Sequence, residues 1–252
     1  MKSAIRNSVL LFFGSVLFHL AGTWSLPLID RDEPRFAEAS REMIQRPDYV
    51  VPHFNNQLRL DKPPLAYWAQ VASYRIFGES DFGARFPSAI AAALTALVIV
   101  GWGYRIGAAA AGWWAAIIFT LSLQTFVHAK AAVADMWLVL FMTLASWVGY
   151  ELIQRPTSSA QRPTFKIQWR LWWAFYLSLA LGFLAKGPIA WIPLLTVLTT
   201  IVLRRDWQLA RHFKFLRGIL LMVGVVALWG IPALIQTHGQ FFAIGIGRHV
   251  IG

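Results

Sequence analysis

The chain has 252 residues, of which 57% are hydrophobic and 14% are charged, whereas a soluble domain carries about 25% charged residues. This composition excludes an ordinary soluble domain and favours a chain that lies largely within a membrane. The sequence contains no cysteine, which excludes disulfides and thiolate metal sites.

Apolar segments predict the membrane spans. The first such segment follows Lys2 and Arg6, as the apolar region of a signal peptide does, but six more apolar segments follow it. We therefore interpret it as an uncleaved span. Each segment approaches the roughly 20 apolar residues that a transmembrane helix needs, and the sequence predicts an all-α polytopic membrane protein with about seven transmembrane helices. The segments are 8–28, 83–104, 108–127, 134–153, 171–185, 189–203 and 218–235.

The distribution of Lys and Arg predicts the orientation of these spans. If the N-terminus is cytoplasmic, the inner segments hold twelve basic residues, while each of the short outer loops around Lys130 and Lys186 holds one. The net charge of +11 is then explained by contacts with anionic membrane lipids, and we predict no nucleic-acid partner. The inner segments are 1–7, the surroundings of Arg105, 154–170 and 204–217.

The first outer loop, residues 29–82, holds nine of the twelve acidic residues of the chain. Two short helices are predicted within it. The first begins at Pro34, with Asp32 in position to cap it, and the second begins at Pro63 and runs to about Phe77. Both are too short and too polar to span a bilayer, so we expect interfacial helices that lie along the membrane surface.

Several motifs in this loop resemble the first periplasmic loop of the aminoarabinose transferase and protein O-mannosyltransferase superfamily. The resemblance implies a membrane-embedded GT-C-like fold, a polyprenyl-phosphate-linked sugar as donor, and a location in the bacterial inner membrane with the active site on the periplasmic face. The motifs are DEPRFAE at 32–38, REM at 41–43, VPHF at 51–54, DKPPLAYW at 61–68, FG at 77–78 and FGARFPSA at 82–89, with a weaker match, ADM, at 134–136.

The implied function is transfer of a hexosyl or pentosyl group from the donor to a lipid A-like lipid or a protein. Under this interpretation residues 1–252 form an N-terminal transmembrane glycosyltransferase domain of a longer protein, and 29–82 is its catalytic loop. Membrane lipids are further expected partners.

Transfer from a lipid phosphate requires a carboxylate to activate or position the acceptor and cations to stabilise the departing phosphate. Asp32 matches the family's acidic motif and is the expected base, although its place before a helix equally fits a cap. Glu33 and the isolated Asp135 are further catalytic candidates, and for Asp135 the alternative is an ion pair with Lys130.

Cations of the first loop and of the second span are the candidates for binding the substrate. Lys62 matches the family's acidic-Lys-Pro motif and is expected to contact the donor phosphate. The alternative is a lysine that extends to the interface without a partner. Arg35 and Arg85 are weaker candidates for the same role.

A divalent metal (Zn, Mn or Mg) is a candidate cofactor. The resemblance implies that Asp61 and His249 would hold it, although no two histidines show the spacing of a metal-binding pair. The alternative functions are a transporter or flippase and a non-catalytic membrane scaffold. Transport would require ionisable residues inside the spans, and these are rare here.

Overall fold

The described part of this computed structural model, residues 2–29, 32–154 and 165–243, folds almost entirely into α-helices. A short β-hairpin and one 3-10 turn, Pro188–Trp191, complete it. The helices are α1 (Lys2–Leu20), α2 (Glu33–Gln45), α3 (Leu65–Phe77), α4 (Asp81–Arg105), α5 (Ala109–Leu121), α6 (Leu123–Ala129), α7 (Asp135–Gln154), α8 (Phe165–Lys186), α9 (Ile192–Arg204), α10 (Trp207–Phe213), α11 (Phe215–Gln236) and α12 (Gln240–Phe242), and the strands are β1 (His53–Phe54) and β2 (Gln57–Leu58).

The predicted all-α polytopic fold is confirmed. Within the described residues, four helical stretches are long and apolar enough to cross a membrane: α1, α4, α7 and the stretch Trp207–Gln236 that contains α10 and α11. A fifth is added if the bent pair of α5 and α6 is one span. The fifth predicted segment lies in α8, and the sixth, 189–203, coincides with the shorter apolar helix Pro188–Arg204.

The predicted span 108–127 is broken rather than continuous. At Ser122 the backbone is extended, with φ −63° and ψ 139°, and the axes of α5 and α6 differ by 61°. The Ser122 hydroxyl accepts a hydrogen bond from the backbone N–H of Thr125, which caps the new helix. A serine inside an apolar run therefore ends one helix and starts the next.

Small residues allow the central helix α4 to pack closely against its neighbours. Its buried face carries Ala91, Ala92 and Ala96, all fully buried. Where α4 meets α5, a Cβ added to Gly103 would lie 2.5 Å from the Cα of Gly112. Such close backbone approach is a common way for helices to associate within a membrane.

The segment of the outer loop between α2 and α3 packs against α3 and α11. Asn55 and Asn56 both have positive φ, as a two-residue hairpin turn between β1 and β2 requires. The backbone carbonyl of Tyr49 accepts a hydrogen bond from the Trp68 indole at 2.7 Å, and that of Val50 accepts one from the Trp229 indole of α11 at 2.8 Å. The loop is therefore attached to the end of the helical bundle.

Candidate active site

Candidate side chains come from four separate segments, and contacts join three of these segments: Asp61, Lys62 and Lys186 line one cavity, and Asp135 pairs with Lys186. Asp32 precedes α2, Asp61 and Lys62 precede α3, Asp135 begins α7, and Lys186 ends α8. Asp32, Asp61 and Lys62 lie in the outer loop, and Asp135 and Lys186 stand at the ends of apolar helices, so none of these charges lies in the middle of a span. The predicted cytoplasmic end is opposite, where Arg105 at the end of α4 pairs with a glutamate near the end of α7 at 3.0 Å.

Asp32 occupies the N-cap position of α2 but does not act as a cap. Its backbone has helical angles, φ −91° and ψ −35°, and within the described residues its carboxylate makes no capping hydrogen bond. The capping alternative is therefore wrong. The side chain is 53% exposed, and among the described residues its ion-pair partner is Arg35, with 3.9 Å between Nη1 and Oδ1. At that distance and exposure the pair is weak, which leaves the Asp32 carboxylate available to a substrate.

Asp135 forms an ion pair with Lys186 rather than with Lys130. The distance from Lys186 Nζ to Asp135 Oδ1 is 2.5 Å, and each side chain is about one-third exposed or less. Lys130 donates instead to the carbonyl oxygen of Ala21 at 2.5 Å and lies 4.4 Å from the centre of the Phe126 ring. Lys186 was missed as a site residue, and its lone position in a short outer loop was the signal that could have identified it.

A cavity of about 830 Å³ opens between the outer loop and helices α8 and α11. Its wall is mainly apolar, with Trp229 and several aliphatic residues of α11, whereas Asp61, Lys62 and Lys186 provide charge. Within the described residues Lys62 has no ion pair. An apolar cavity with two ammonium groups in its lining fits a lipid that carries an anionic head.

Glu33 and Arg85 form a buried ion pair whose side chains are 6% and 4% exposed. Both Nε and Nη2 of Arg85 donate to the Glu33 carboxylate at 2.9 Å. The same guanidinium donates to the carbonyls of Thr23, Leu26 and Pro27, and the carboxylate accepts from the backbone of Ile29 and Ala132. This geometry is that of a structural clamp that joins α4, the end of the first span and the loop before Asp135.

A second polar cluster lies within the outer loop and was not predicted from the sequence. The Arg59 guanidinium lies over the ring of Phe36 at 4.9 Å, and its Nε is 3.2 Å from Asp61 Oδ1. The neighbouring Tyr67 is fully buried, and burial raises the pKa of its phenol well above the ordinary value of 10.0. The guanidinium opposes this shift in pKa, whereas the charges of Asp61 and Asp32 add to it.

The described residues do not test the expected metal site of Asp61 and His249. They contain no group of three His, Asp, Glu or Cys side chains that could hold a metal ion. Asp61, the one expected ligand among them, already binds the guanidinium of Arg59. His249 lies outside the described residues.

Comparison with known proteins establishes the family. The profile of the family described as dolichyl-phosphate-mannose-protein mannosyltransferase matches residues 8–246. The chain belongs to this family. The undecaprenyl phosphate-alpha-4-amino-4-deoxy-L-arabinose arabinosyl transferase of Aeromonas salmonicida is 33% identical over 234 residues, which are 90% of this chain and 40% of that protein. An uncharacterised protein of Aquifex aeolicus is 31% identical over 239 residues, 94% of this chain and 51% of that protein.

Solved structures share the fold of this family member. The crystal structure of ArnT from Cupriavidus metallidurans in the apo state superposes with a TM-score of 0.83 at 23% identity and covers 96% of this chain and 44% of that chain. The structure of the same protein bound to undecaprenyl phosphate gives a TM-score of 0.82, with 94% and 43% covered. The chain thus spans about half the length of its relatives or less. The GT-C-like fold expected from the sequence is confirmed.

Proposed function

We propose that this chain acts in the transfer of a sugar from a polyprenyl-phosphate donor to a lipid or protein acceptor. The observation that carries the proposal is the cavity that places Lys62 and Lys186 in an otherwise apolar wall. A polyprenyl chain requires apolar lining over a large area, and its phosphate requires cationic donors at one point. The family relationship and the names of the arabinosyl transferase relatives support the same chemistry.

The proposed reaction exchanges one bond to the anomeric carbon for another. An acceptor oxygen forms a bond to that carbon, the bond to the phosphate oxygen breaks, and the electron pair leaves on the phosphate. Lys62 stabilises this charge through a charge-assisted hydrogen bond, and Lys186, held by Asp135, supplies a second ammonium group. Asp32 accepts the proton of an acceptor hydroxyl, or positions an acceptor that is already ionised.

The remaining candidates have smaller proposed roles. Arg35 assists at the exposed edge of the site, beside Asp32. Glu33 and Arg85 position the surrounding backbone through their ion pair and are not proposed to contact the substrate. No step is assigned to a metal ion.

The acceptor and the cellular location are also proposed. A lipid A-like acceptor in the bacterial inner membrane is favoured because several bacterial relatives are named undecaprenyl phosphate-alpha-4-amino-4-deoxy-L-arabinose arabinosyl transferases. The N-terminus is proposed to be cytoplasmic and the site periplasmic, because of the distribution of Lys and Arg. Reporter fusions after residues 60, 160 and 210 test this, and alkaline phosphatase activity at 160 or 210 would overturn the orientation.

Binding of the donor tests the role of Lys62. The Lys62→Met variant, reconstituted in lipid nanodiscs, should bind undecaprenyl-phosphate-linked sugar more weakly by about 1.5–3 kcal/mol, the contribution of one hydrogen bond to a charged group. This corresponds to roughly a 10- to 150-fold rise in Kd. Lys214→Met, at the opposite predicted face, is the matched control and should bind normally. Equal binding by the two variants would remove Lys62 from the site.

Transfer tests the carboxylates. With radiolabelled undecaprenyl-phosphate sugars and membrane extracts as acceptor, Asp32→Asn should lower the rate about 10²- to 10⁴-fold if Asp32 is a general base. Asp135→Asn should also slow transfer, because Lys186 loses its partner. Full activity in both variants would refute the mechanism.

A further inference from the structure

Arg59 is a buried cation that the proposed reaction does not yet use. It follows β2, and its backbone N–H donates to the carbonyl of Pro52 at 2.8 Å. The side chain is 7% exposed, and its guanidinium carbon lies 4.9 Å from the centre of the Phe36 ring and 5.7 Å from that of Tyr67. The two rings are themselves stacked with centres 5.0 Å apart. The guanidinium is therefore held at a fixed place by aromatic faces.

The hydrogen bonding of this guanidinium is incomplete. Nε binds Asp61, but Nη1 is buried and has no partner among the described residues, and the same is true of the Tyr67 hydroxyl. Buried polar groups in proteins are almost always hydrogen-bonded, and an unpaired donor on a charged group is especially unfavourable. An oxygen atom supplied by a ligand would complete this arrangement.

The position of Arg59 relative to the cavity indicates which part of a ligand supplies that oxygen. The cavity lining includes Asp61, Lys62 and Lys186 but not Arg59, whose Nε contacts Asp61 at 3.2 Å. With a donor phosphate at the two lysines, the sugar bonded to that phosphate is the next part of the ligand. It would then lie beside Asp61, whose Oδ1 contacts Arg59 Nε, and a shift of the Asp61 side chain would bring the buried Nη1 into contact with the sugar.

We propose that Arg59 is a sugar-recognition residue whose Nη1 donates a hydrogen bond to a hydroxyl or carboxylate oxygen of the donor sugar. This inference rests on the proposed function. A hydrogen bond from Nη1 selects a neutral or acidic sugar. It disfavours a sugar that presents an ammonium group to Arg59, because an ammonium has no lone pair to accept the bond and repels the guanidinium. The chain would thus differ from relatives that are named for 4-amino-4-deoxy-L-arabinose.

Donor binding to the whole chain in nanodiscs tests this proposal with three probes. They are undecaprenyl phosphate without sugar, undecaprenyl-phosphate-mannose, and undecaprenyl-phosphate-4-amino-4-deoxy-L-arabinose. The wild type should bind the mannosyl donor at least tenfold more tightly than the sugar-free carrier. Arg59→Gln should lose that preference while its Kd for the sugar-free carrier stays unchanged, and its Kd for the aminosugar donor should stay the same or fall.

Two further variants separate recognition from folding. Arg41→Gln removes a more exposed arginine of α2 and should bind all three probes as the wild type does. Arg59→Lys retains a cation beside the aromatic rings but loses the planar fork of donors, so it should also lose most of the preference for mannose. Normal binding of the sugar-free carrier by either Arg59 variant shows that the site is folded.

Each contrary result has a distinct meaning. If Arg59→Gln weakens binding of the sugar-free carrier as much as that of the mannosyl donor, Arg59 is a phosphate ligand or a structural residue and the inference is wrong. Unchanged binding of all probes by both Arg59 variants would equally refute it. If the wild type binds no polyprenyl phosphate at all, the proposed function fails, and the inference fails with it.

Discussion

Replacing Glu33 by Gln removes one charge from the buried clamp at the outer end of the bundle. The carboxylate accepts four hydrogen bonds, two from Arg85 at 2.9 Å and two from the backbone N–H groups of Ile29 and Ala132 at 2.8 Å. All four partners are donors. A Gln side chain has nearly the same shape, but its NH₂ group must face some of these donors, so at least one hydrogen bond is lost.

The larger effect concerns the charge of Arg85. This guanidinium is 4% exposed, and without Glu33 it retains only the carbonyls of three neighbouring residues as partners. Removal of one member of a buried ion pair costs about 3–5 kcal/mol, because the remaining charge is buried without compensation. Since both side chains are more than nine-tenths buried, this figure needs no reduction for solvent screening.

Thermal unfolding of the purified chain in detergent measures this effect. The melting temperature of Glu33→Gln should fall by at least about 6 °C, since 1 kcal/mol corresponds to roughly 2–4 °C in a chain of this size. Glu38→Gln is the matched control, because its ion pair with Arg41 is partly exposed and should contribute less than about 1 kcal/mol. Equal melting temperatures for the two variants would show that the buried pair does not stabilise the outer end.

Two further predictions concern packing and pH. A Cβ at Gly218 of α11 would lie 2.0 Å from the Tyr176 ring of α8, so Gly218→Ala should destabilise the chain by about 1–3 kcal/mol. Gly224→Ala on the same helix is the control, because its added Cβ meets no atom within 4 Å and should not destabilise the chain. Similar melting temperatures for the two variants would contradict the close contact. Burial raises the pKa of Tyr67, so above pH 10 the unfolded chain releases this proton more readily than the folded one and stability falls. Melting curves of Tyr67→Phe should show a smaller alkaline loss than those of the wild type, and an identical loss would refute the assignment.

The helices of the first outer loop were predictable because their determinants are local. Proline at the first turn and apolar spacing define α2 and α3, and both helices form where they were predicted. The hairpin between them could also have been predicted, since the sequence Asn55-Asn56 suits two consecutive residues with positive φ. The break at Ser122 was not predicted, because hydropathy over 108–127 is continuous and a single capping serine barely changes it.

The site residues were predicted mainly by resemblance to the family, and their partners were not predicted. Proximity in sequence suggested Lys130 for Asp135, yet Lys186, 51 residues away, forms the ion pair. The partner of Glu33 is likewise 52 residues distant, on α4. A lysine or arginine side chain can reach several positions, and the packing of helices decides which carboxylate it meets.

By itself, the sequence determined that the chain crosses a membrane, because the transfer of apolar segments out of water depends on composition and length alone. It also determined where carboxylates and cations can lie, since charge is excluded from the apolar spans. Only the tertiary structure decided that Asp32 does not cap its helix, that Lys186 joins Lys62 in one cavity, and that Arg59 contacts two stacked aromatic rings. These outcomes depend on contacts between residues that are distant in the chain, and such contacts exist only after the helices have packed.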